Sequence, residues 1–313
     1  MSRVRAGALI GAPAARVAAQ AKINLFLRVL AREESGYHQL ETLFARLELA
    51  DQVVVRPRER GRSIDCAGPA LPAGGLGPAE RNLAFRAAVA YAEAAGWPAG
   101  FAIEVEKHVP AGGGLGGGSA DAGAVLRALN ALSPSPLSQQ RIFALASALG
   151  ADVPYVAAEA PLALAWGRGE RMLAFPALPP REVALIFPPF GVATPEAFAW
   201  LAEERAAEAG GDGRGAPSPR MLFPHQFTEW ESVYRMVAND FERVVAIRLP
   251  DIAAAREALL AGGARAARMT GSGSTVFGLF DTPPDAGALE RAAGFPVRLT
   301  RTAARVAAVA VAE

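Results

Sequence analysis

A single cysteine, Cys66, stands in 313 residues, so no disulfide can form within the chain and nothing would be gained from an oxidising compartment. Histidine is nearly as scarce. His38, His108 and His225 lie far apart, no His or Cys pair has metal-ligand spacing, and a structural zinc site is not expected. Charge of one sign is lacking too: 32 Lys and Arg against 31 Asp and Glu leave a formal charge of +1. Such a chain has no overall field for nucleic acid or a membrane surface, and an anionic ligand has to be held by a local site. No apolar run is long enough to span a bilayer. Arg3 and Arg5 followed by residues 6–15 imitate a secretory leader poorly, because the apolar part is mostly Ala and Gly and cleavage near Ala19 would cut into a strand pattern. The expectation is a cytoplasmic protein with neither nucleic acid nor membrane as partner.

What is present is core material. The chain is 51% apolar and 20% charged, with Ala and Arg used heavily, the balance of a globular enzyme. Its length suggests two domains, placed at 1–165 and 166–313 because the pattern restarts beyond Trp166. Over residues 22–29, Ile23, Leu25, Leu27 and Val29 alternate with Lys22, Asn24, Phe26 and Arg28, a half-buried strand that projects Lys22 and Asn24 from one face. Strand signals follow at 42–49 and 52–56, then a Gly/Pro-rich loop at 68–78. A helix is expected over 82–95, closed by Gly96 and Pro98. Phe101, Ile103 and Val105 mark a strand that runs through Lys107 to Pro110 into a block of glycines. Ser119 takes the N-cap position of the next helix, with Asp121 in its first turn. A further helix over 138–149 stops at Gly150 and delivers Ala151-Asp152-Val153-Pro154. So close to proline, the chain at Asp152 is expected to be non-helical and to hold its carboxylate at a helix exit. In the second half, 183–187 and 275–280 read as strands, 239–249 and 251–261 as helices, and 203–224 as a mobile surface loop.

The strongest chemical signal is the segment from Gly112 to Ser119, with six glycines in seven positions. Bare backbone there lets successive N–H groups turn toward one anion, and the following helix adds its positive end, which suits a polyphosphate. A flexible linker would not sit between a strand and a capped helix. The Walker loop is excluded, since Gly118 is followed by Ser119-Ala120 with no lysine. Gly112, Gly114 and Gly117 satisfy the dinucleotide fingerprint, but residues 122–151 contain no Asp or Glu to hold a ribose. Protein kinases are excluded by the absence of HRD and DFG.

Residues Pro110 to Ser119 have the form P-x-x-x-G-L-G-G-G-S, and the chain thereby resembles the GHMP small-molecule kinases. Ala21-Lys22-Ile23-Asn24-Leu25, Gly36-Tyr37-His38, Glu41-Thr42-Leu43-Phe44, residues 149–154 and the Gly271-Ser272-Gly273 turn are similar to a member of that family. Its alcohol substrate is a cytidine diphosphate derivative of methylerythritol, of the non-mevalonate isoprenoid pathway. The resemblance implies a two-domain α+β fold with the site in the cleft between domains, phosphorylating a hydroxyl with ATP. It places ATP on Pro110, Ala111, Gly112, Gly113, Gly114, Leu115, Gly116, Gly117, Gly118, Ser119 and Ala120. It implies Lys22 and Asp152 as the catalytic pair, where a lysine beside the carboxylate keeps it ionised; spacing alone leaves an ordinary ion pair or helix cap equally open. Asn24, Tyr37, His38, Thr194 and Phe198 are implied as substrate contacts, with Tyr37 and Phe198 stacking on the base and His38 reading its edge. Without the resemblance, Tyr37 reads as a loop aromatic and Phe198 as core. Mg²⁺ is expected from the chemistry, and the sequence assigns it no ligands. Ala120-Asp121 departs from the Ser-Ser-Asn or Ser-Ser-Asp of many relatives, leaving position 120 without a hydroxyl. A GHMP kinase for another alcohol, such as mevalonate, homoserine or a sugar, stays open, as does a nucleotide-binding protein that releases no ADP. Oligomeric state is not legible.

Overall fold

The computed structural model describes residues 13–34, 36–209 and 221–312. The leader-like segment around Arg3 and Arg5, and residues 210–220 of the expected surface loop, lie outside them. The first half runs β1 (Ala14–Arg32), β2 (His38–Arg58), β3 (Arg62–Ala67), α1 (Leu83–Ala95), β4 (Gly100–Glu106), α2 (Gly117–Leu132), α3 (Gln139–Leu149), α4 (Val153–Ala157), β5 (Leu162–Gly167) and β6 (Arg171–Phe175). The second continues with β7 (Glu182–Ile186), α5 (Thr194–Ala209), α6 (Trp230–Tyr234), β8 (Ala238–Asn239), α7 (Asp240–Arg248), α8 (Asp251–Ala261), β9 (Ala266–Met269), β10 (Val276–Phe280), α9 (Ala286–Ala293), β11 (Val297–Arg301) and β12 (Ala310–Ala312).

Four layers follow from where these elements hide their apolar faces. The first sheet has the order β12-β1-β2-β4-β3, with β5 and β6 continuing it from the other end of β2 and β8 alongside β1. One face, carrying Val17, Ala19, Val53 and Val55, packs on the alanine-rich sides of α1 and α2 and on α4. Its other face, through Ile23, Leu25 and Leu47, packs on Val183, Leu185, Phe277 and Leu279 of the second sheet, ordered β11-β7-β10-β9. The far side of that sheet, through Ile186 and Val276, buries Val244, Val245, Ile252 and Leu259 of α7 and α8.

Burial from both sides explains where the strand pattern misled. The half-buried strand expected at 22–29 is the middle of a 19-residue strand, buried without interruption from Ala19 to Leu27, so alternation vanishes there. The two strand signals at 42–49 and 52–56 belong to one strand, β2. Locally coded elements fall where expected: Asn82 Oδ1 caps α1 through Ala84 N at 2.9 Å, and Gly96 ends it in the left-handed conformation. The expected loop at 203–224 begins with helix instead, since α5 continues to Ala209 on a run of Ala and Glu with good helix propensity. Residue 165 lies inside β5, which pairs with β2; the chain passes to the second sheet between β6 and β7 and returns to the first through β8 and β12.

Candidate active site

Residues 107–116 join β4 to α2, and the helix starts earlier than expected. Gly116, at φ 69° and ψ 21°, is its N-cap, and no side chain caps it. The left-handed conformation of this glycine lets the chain enter the helix there, which places Ser119 inside the first turn and Asp121 in the second, correcting the expected serine cap. The first helical bond runs from Ala120 N to Gly116 O at 2.8 Å, so the N–H groups of Gly117, Gly118 and Ser119 have no helical acceptor. Three free donors at the positive end of a 16-residue helix make an anion site. The loop leans on both halves of the chain. Lys22 N donates to Leu115 O at 3.0 Å and Thr275 N to Gly113 O at 3.3 Å, while a Cβ on Gly114 would meet Thr270 O at 2.1 Å.

Under the loop lies a buried triad with no counterpart in the sequence reading. Lys107 Nζ donates to Asp121 Oδ2 at 2.7 Å and also to Asp51 Oδ2; Asp51 Oδ1 accepts from the backbone N–H of His108 and, at 2.7 Å, of Val109. One cation faces two carboxylates, and Asp121 Oδ1 is buried without a partner. Burial, with Asp51 nearby, pushes the Asp121 carboxyl up to about 7 against the pull of Lys107. Burial disfavours the Lys107 ammonium, yet the two carboxylates outweigh it and hold its pKa above the ordinary value.

Lys22 and Asp152 meet beside the loop. Lys22 Nζ is 3.2 Å from Asp152 Oδ2, with the lysine side chain 3% and the aspartate 32% exposed, so the carboxylate keeps one side open to the cavity. The same Nζ donates to Asn24 Oδ1 at 2.7 Å and lies 5.4 Å from the centre of the Phe44 ring. Asp152 is helical, at φ −85° and ψ −18°, and is the N-cap of α4 rather than a non-helical exit. Pro154 sits in the first turn of that helix, where a missing N–H costs nothing. Asp152 makes no cap bond with its own helix, which leaves its carboxylate to Lys22. Asn24 is held in a buried network. Its Oδ1 also accepts from Thr270 Oγ1 and Gly271 N, and its Nδ2 donates to Thr42 Oγ1, so it fastens Lys22 to the turn of the second half.

Two adjoining cavities share Leu40, Ala151, Thr194 and Phe198. One, of ≈ 710 Å³, is lined by Pro110 to Ser119 together with Lys22, Asn24, Asp121 and Asp152; Ala120 is turned into the helical core. The other, of ≈ 960 Å³, is lined by Tyr37, His38, Arg32, Arg168, Thr194 and Phe198 among others. His38 stacks on Phe198 with ring centres 3.9 Å apart, and burial, with Arg32 and Arg205 nearby, lowers its pKa. Tyr37 is 60% exposed, with the Arg168 guanidinium 4.3 Å from its ring centre. Thr194 Oγ1 is hydrogen-bonded to Ser272 Oγ at 3.0 Å. Among the described residues no group of three or more His, Cys, Asp and Glu could hold a metal, and the carboxylates at the loop cavity are Asp121 and Asp152. That set fits Mg²⁺ only in its usual nucleotide mode, held mainly by phosphates and water with one carboxylate, Asp152, in reach. Asp51 and Lys107 gave no sequence signal, being 56 positions apart; the one hint was a lysine immediately before the loop.

A glycine cradle at a helix start, a lysine–aspartate pair beside it and an adjoining cavity define a small-molecule phosphotransferase of the kind the sequence resembles. The chain belongs to the GHMP kinase family: residues 82–159 match the model of the GHMP kinases N terminal domain and 226–297 that of the GHMP kinases C terminal. It is 36% identical over 264 residues to the 4-diphosphocytidyl-2-C-methyl-D-erythritol kinase of Geobacter sp. (strain M21), covering 84% of this chain and 88% of that one. It is 40% identical over 269 residues to the enzyme of the same name from Thermus thermophilus, at 86% and 88% coverage. A crystal structure of 4-(cytidine 5'-diphospho)-2C-methyl-D-erythritol kinase superposes with a TM-score of 0.72 at 36% identity, over 92% of this chain and 99% of that one. A homoserine kinase from Cytophaga hutchinsonii superposes at 0.66 with 18% identity, over 96% and 98%, a likeness of fold. Among the described residues no helix is long and apolar enough to cross a membrane.

Proposed function

We propose that this chain transfers the γ-phosphoryl group of ATP to the 2-hydroxyl of 4-diphosphocytidyl-2-C-methyl-D-erythritol, in the non-mevalonate isoprenoid pathway, and acts in the cytoplasm. The observation that carries the reading is the Lys22–Asp152 contact of 3.2 Å in the wall of the loop cavity, next to Ala151, which lines both cavities. ATP lies along Pro110 to Ser119, with its phosphates on the free N–H groups of Gly117, Gly118 and Ser119. The alcohol enters from the second cavity, where Tyr37, His38 and Phe198 take the cytosine. Asp152 accepts the proton of the hydroxyl as its oxygen attacks the γ-phosphorus; the bond from that phosphorus to the β–γ bridging oxygen breaks and ADP leaves with the electron pair. Lys22 holds the Asp152 carboxylate in place through their 3.2 Å contact and lies beside the charge that develops on the phosphoryl oxygens. Mg²⁺, when bound, neutralises that charge.

Tyr37 and His38 favour the cytidyl alcohol over the substrates of other GHMP kinases, since mevalonate and homoserine offer no base to stack. A coupled ADP-release assay with the cytidyl alcohol, mevalonate and homoserine decides. Turnover with the cytidyl alcohol alone is expected, and equal or better turnover of another alcohol would overturn the substrate assignment.

A further inference from the structure

We propose that Arg46 is a positioning residue that sets Asp152 through α4, an inference that rests on Asp152 being the base. Arg46 is 2% exposed, and its hydrogen-bond partners are not carboxylates but main-chain carbonyls. Its Nε donates to Ala160 O at 3.0 Å, and its Nη2 lies within hydrogen-bond distance of Tyr155 O, Val156 O and Ala158 O at 2.9, 3.1 and 2.7 Å. The guanidinium also lies 5.0 Å from the centre of the Tyr155 ring. A buried guanidinium is costly unless its donors are used, and here Nη2 meets the last carbonyls at the negative end of one short helix while Nε takes Ala160 O just beyond it. Burial pulls the Arg46 pKa down to about 10, which leaves it charged at neutral pH.

A helix of five residues has no stability of its own. Its direction is set by the backbone of α2 at Gly123, against which Val156 and Ala157 pack, and by whatever grips its two ends. At the first end Asp152 meets Lys22; at the other, Arg46 gathers the last carbonyls. Lys22 and Arg46 are direct cross-strand partners in the β1–β2 register, so a single rung of the first sheet holds both ends of α4. Loosening the far end lets the helix tilt, and the carboxylate at its start moves with it. A displacement on the order of 1 Å at a reacting group costs on the order of 10²-fold in rate.

The test compares Arg46→Met, Arg46→Lys, Asp152→Asn and the double variant Arg46→Met/Asp152→Asn, measuring kcat, KM for each substrate and ATP affinity. Arg46→Met should lower kcat by about 10- to 100-fold with ATP affinity nearly unchanged. Arg46→Lys, which keeps the charge but reaches fewer carbonyls, should fall between. Because Arg46 acts through Asp152, the double variant should turn over no more slowly than Asp152→Asn alone. Losses that multiply in the double variant, or a fall in ATP affinity matching the fall in kcat, would mean a merely structural arginine and overturn the proposal. If Arg46→Met does not fold, Arg46→Lys decides, and wild-type kcat in it overturns the proposal. Asp152→Asn with wild-type turnover removes the base assignment and this inference together, whereas an impaired Asp152→Asn beside a normal, folded Arg46→Met removes the inference alone.

Discussion

The Asp152 carboxylate caps no N–H of its own helix, and its side chain stays 32% exposed, which suits a group that must take up a proton and give it back. Asp152→Asn retains the shape and loses the base, so kcat should fall by about 10² to 10⁴ with both KM values little changed. Lys22→Met should also impair turnover, and the double variant should be far less impaired than the product of the singles because the pair acts as a unit. Steady-state kinetics on all four proteins, with folding checked by circular dichroism, reads this; near-normal kcat in Asp152→Asn would leave positioning and electrostatics as the whole of catalysis. Gly116 ties the pair to the phosphate loop. A Cβ there would stand 3.0 and 3.1 Å from Cε and Cγ of Lys22 and 3.6 Å from Asp152 Oδ2, on a backbone at φ +69°. Gly116→Val should therefore weaken ATP binding and lower the rate of a single turnover as well. Unchanged ATP affinity in a folded variant would show that the loop is not the cradle.

The elements differ in how they are held, and that decides both their sensitivity and their legibility. At Gly123, α2 touches α4 backbone to backbone: a Cβ would meet Val156 C at 2.7 Å and Ala157 N at 2.8 Å, neither able to fold away. Gly123→Ala should cost about 1–3 kcal/mol of stability, read as a lower urea midpoint, and should lower kcat by moving α4; a midpoint and kcat both at wild-type values would mean the helices part without cost. Tyr37, by contrast, stands on an exposed turn. Tyr37→Ala should raise KM for the cytidyl alcohol by the loss of a stacking face, about 1–3 kcal/mol, and leave KM for ATP alone, whereas equal damage to both would point to misfolding. The glycine loop and α1 were legible because their signals are local, a run of bare backbone in one case and Asn82 and Gly96 in the other. The extent of β1 was not, because α2 and the second sheet bury both its faces and erase the alternation. Helix α4 was illegible for the same kind of reason. Five residues with a proline carry no helical signal, and the contacts that make them a helix come from Arg46 and Gly123, both remote in sequence.

At the scale of the whole molecule, the Asp51–Lys107–Asp121 triad binds β2, the end of β4 and α2 into one block beneath the loop, so its protonation should be felt in global stability. The carboxyl of Asp121 is raised on folding from 3.8 to about 7, by burial first and then by Asp51. A group that holds its proton more tightly in the native state takes one up on folding wherever the pH lies between the two values. Its contribution to stability must then fall as pH rises from about 4 to about 7 and stay level above that. Carboxylates lowered on folding act in the opposite sense, so the wild-type curve alone cannot isolate this group. The difference from Asp121→Asn can, because asparagine keeps an oxygen for Lys107 and has nothing to titrate, while Lys107 retains Asp51. Relative to wild type, Asp121→Asn should gain stability steadily between pH 5 and pH 7 and no further by pH 8. The gain should appear as a widening of the Tm difference by a few degrees, at about 2–4 °C for each kcal/mol. Parallel Tm curves for the two proteins from pH 5 to 8 would mean that Asp121 is ionised throughout, with the pull of Lys107 outweighing its burial.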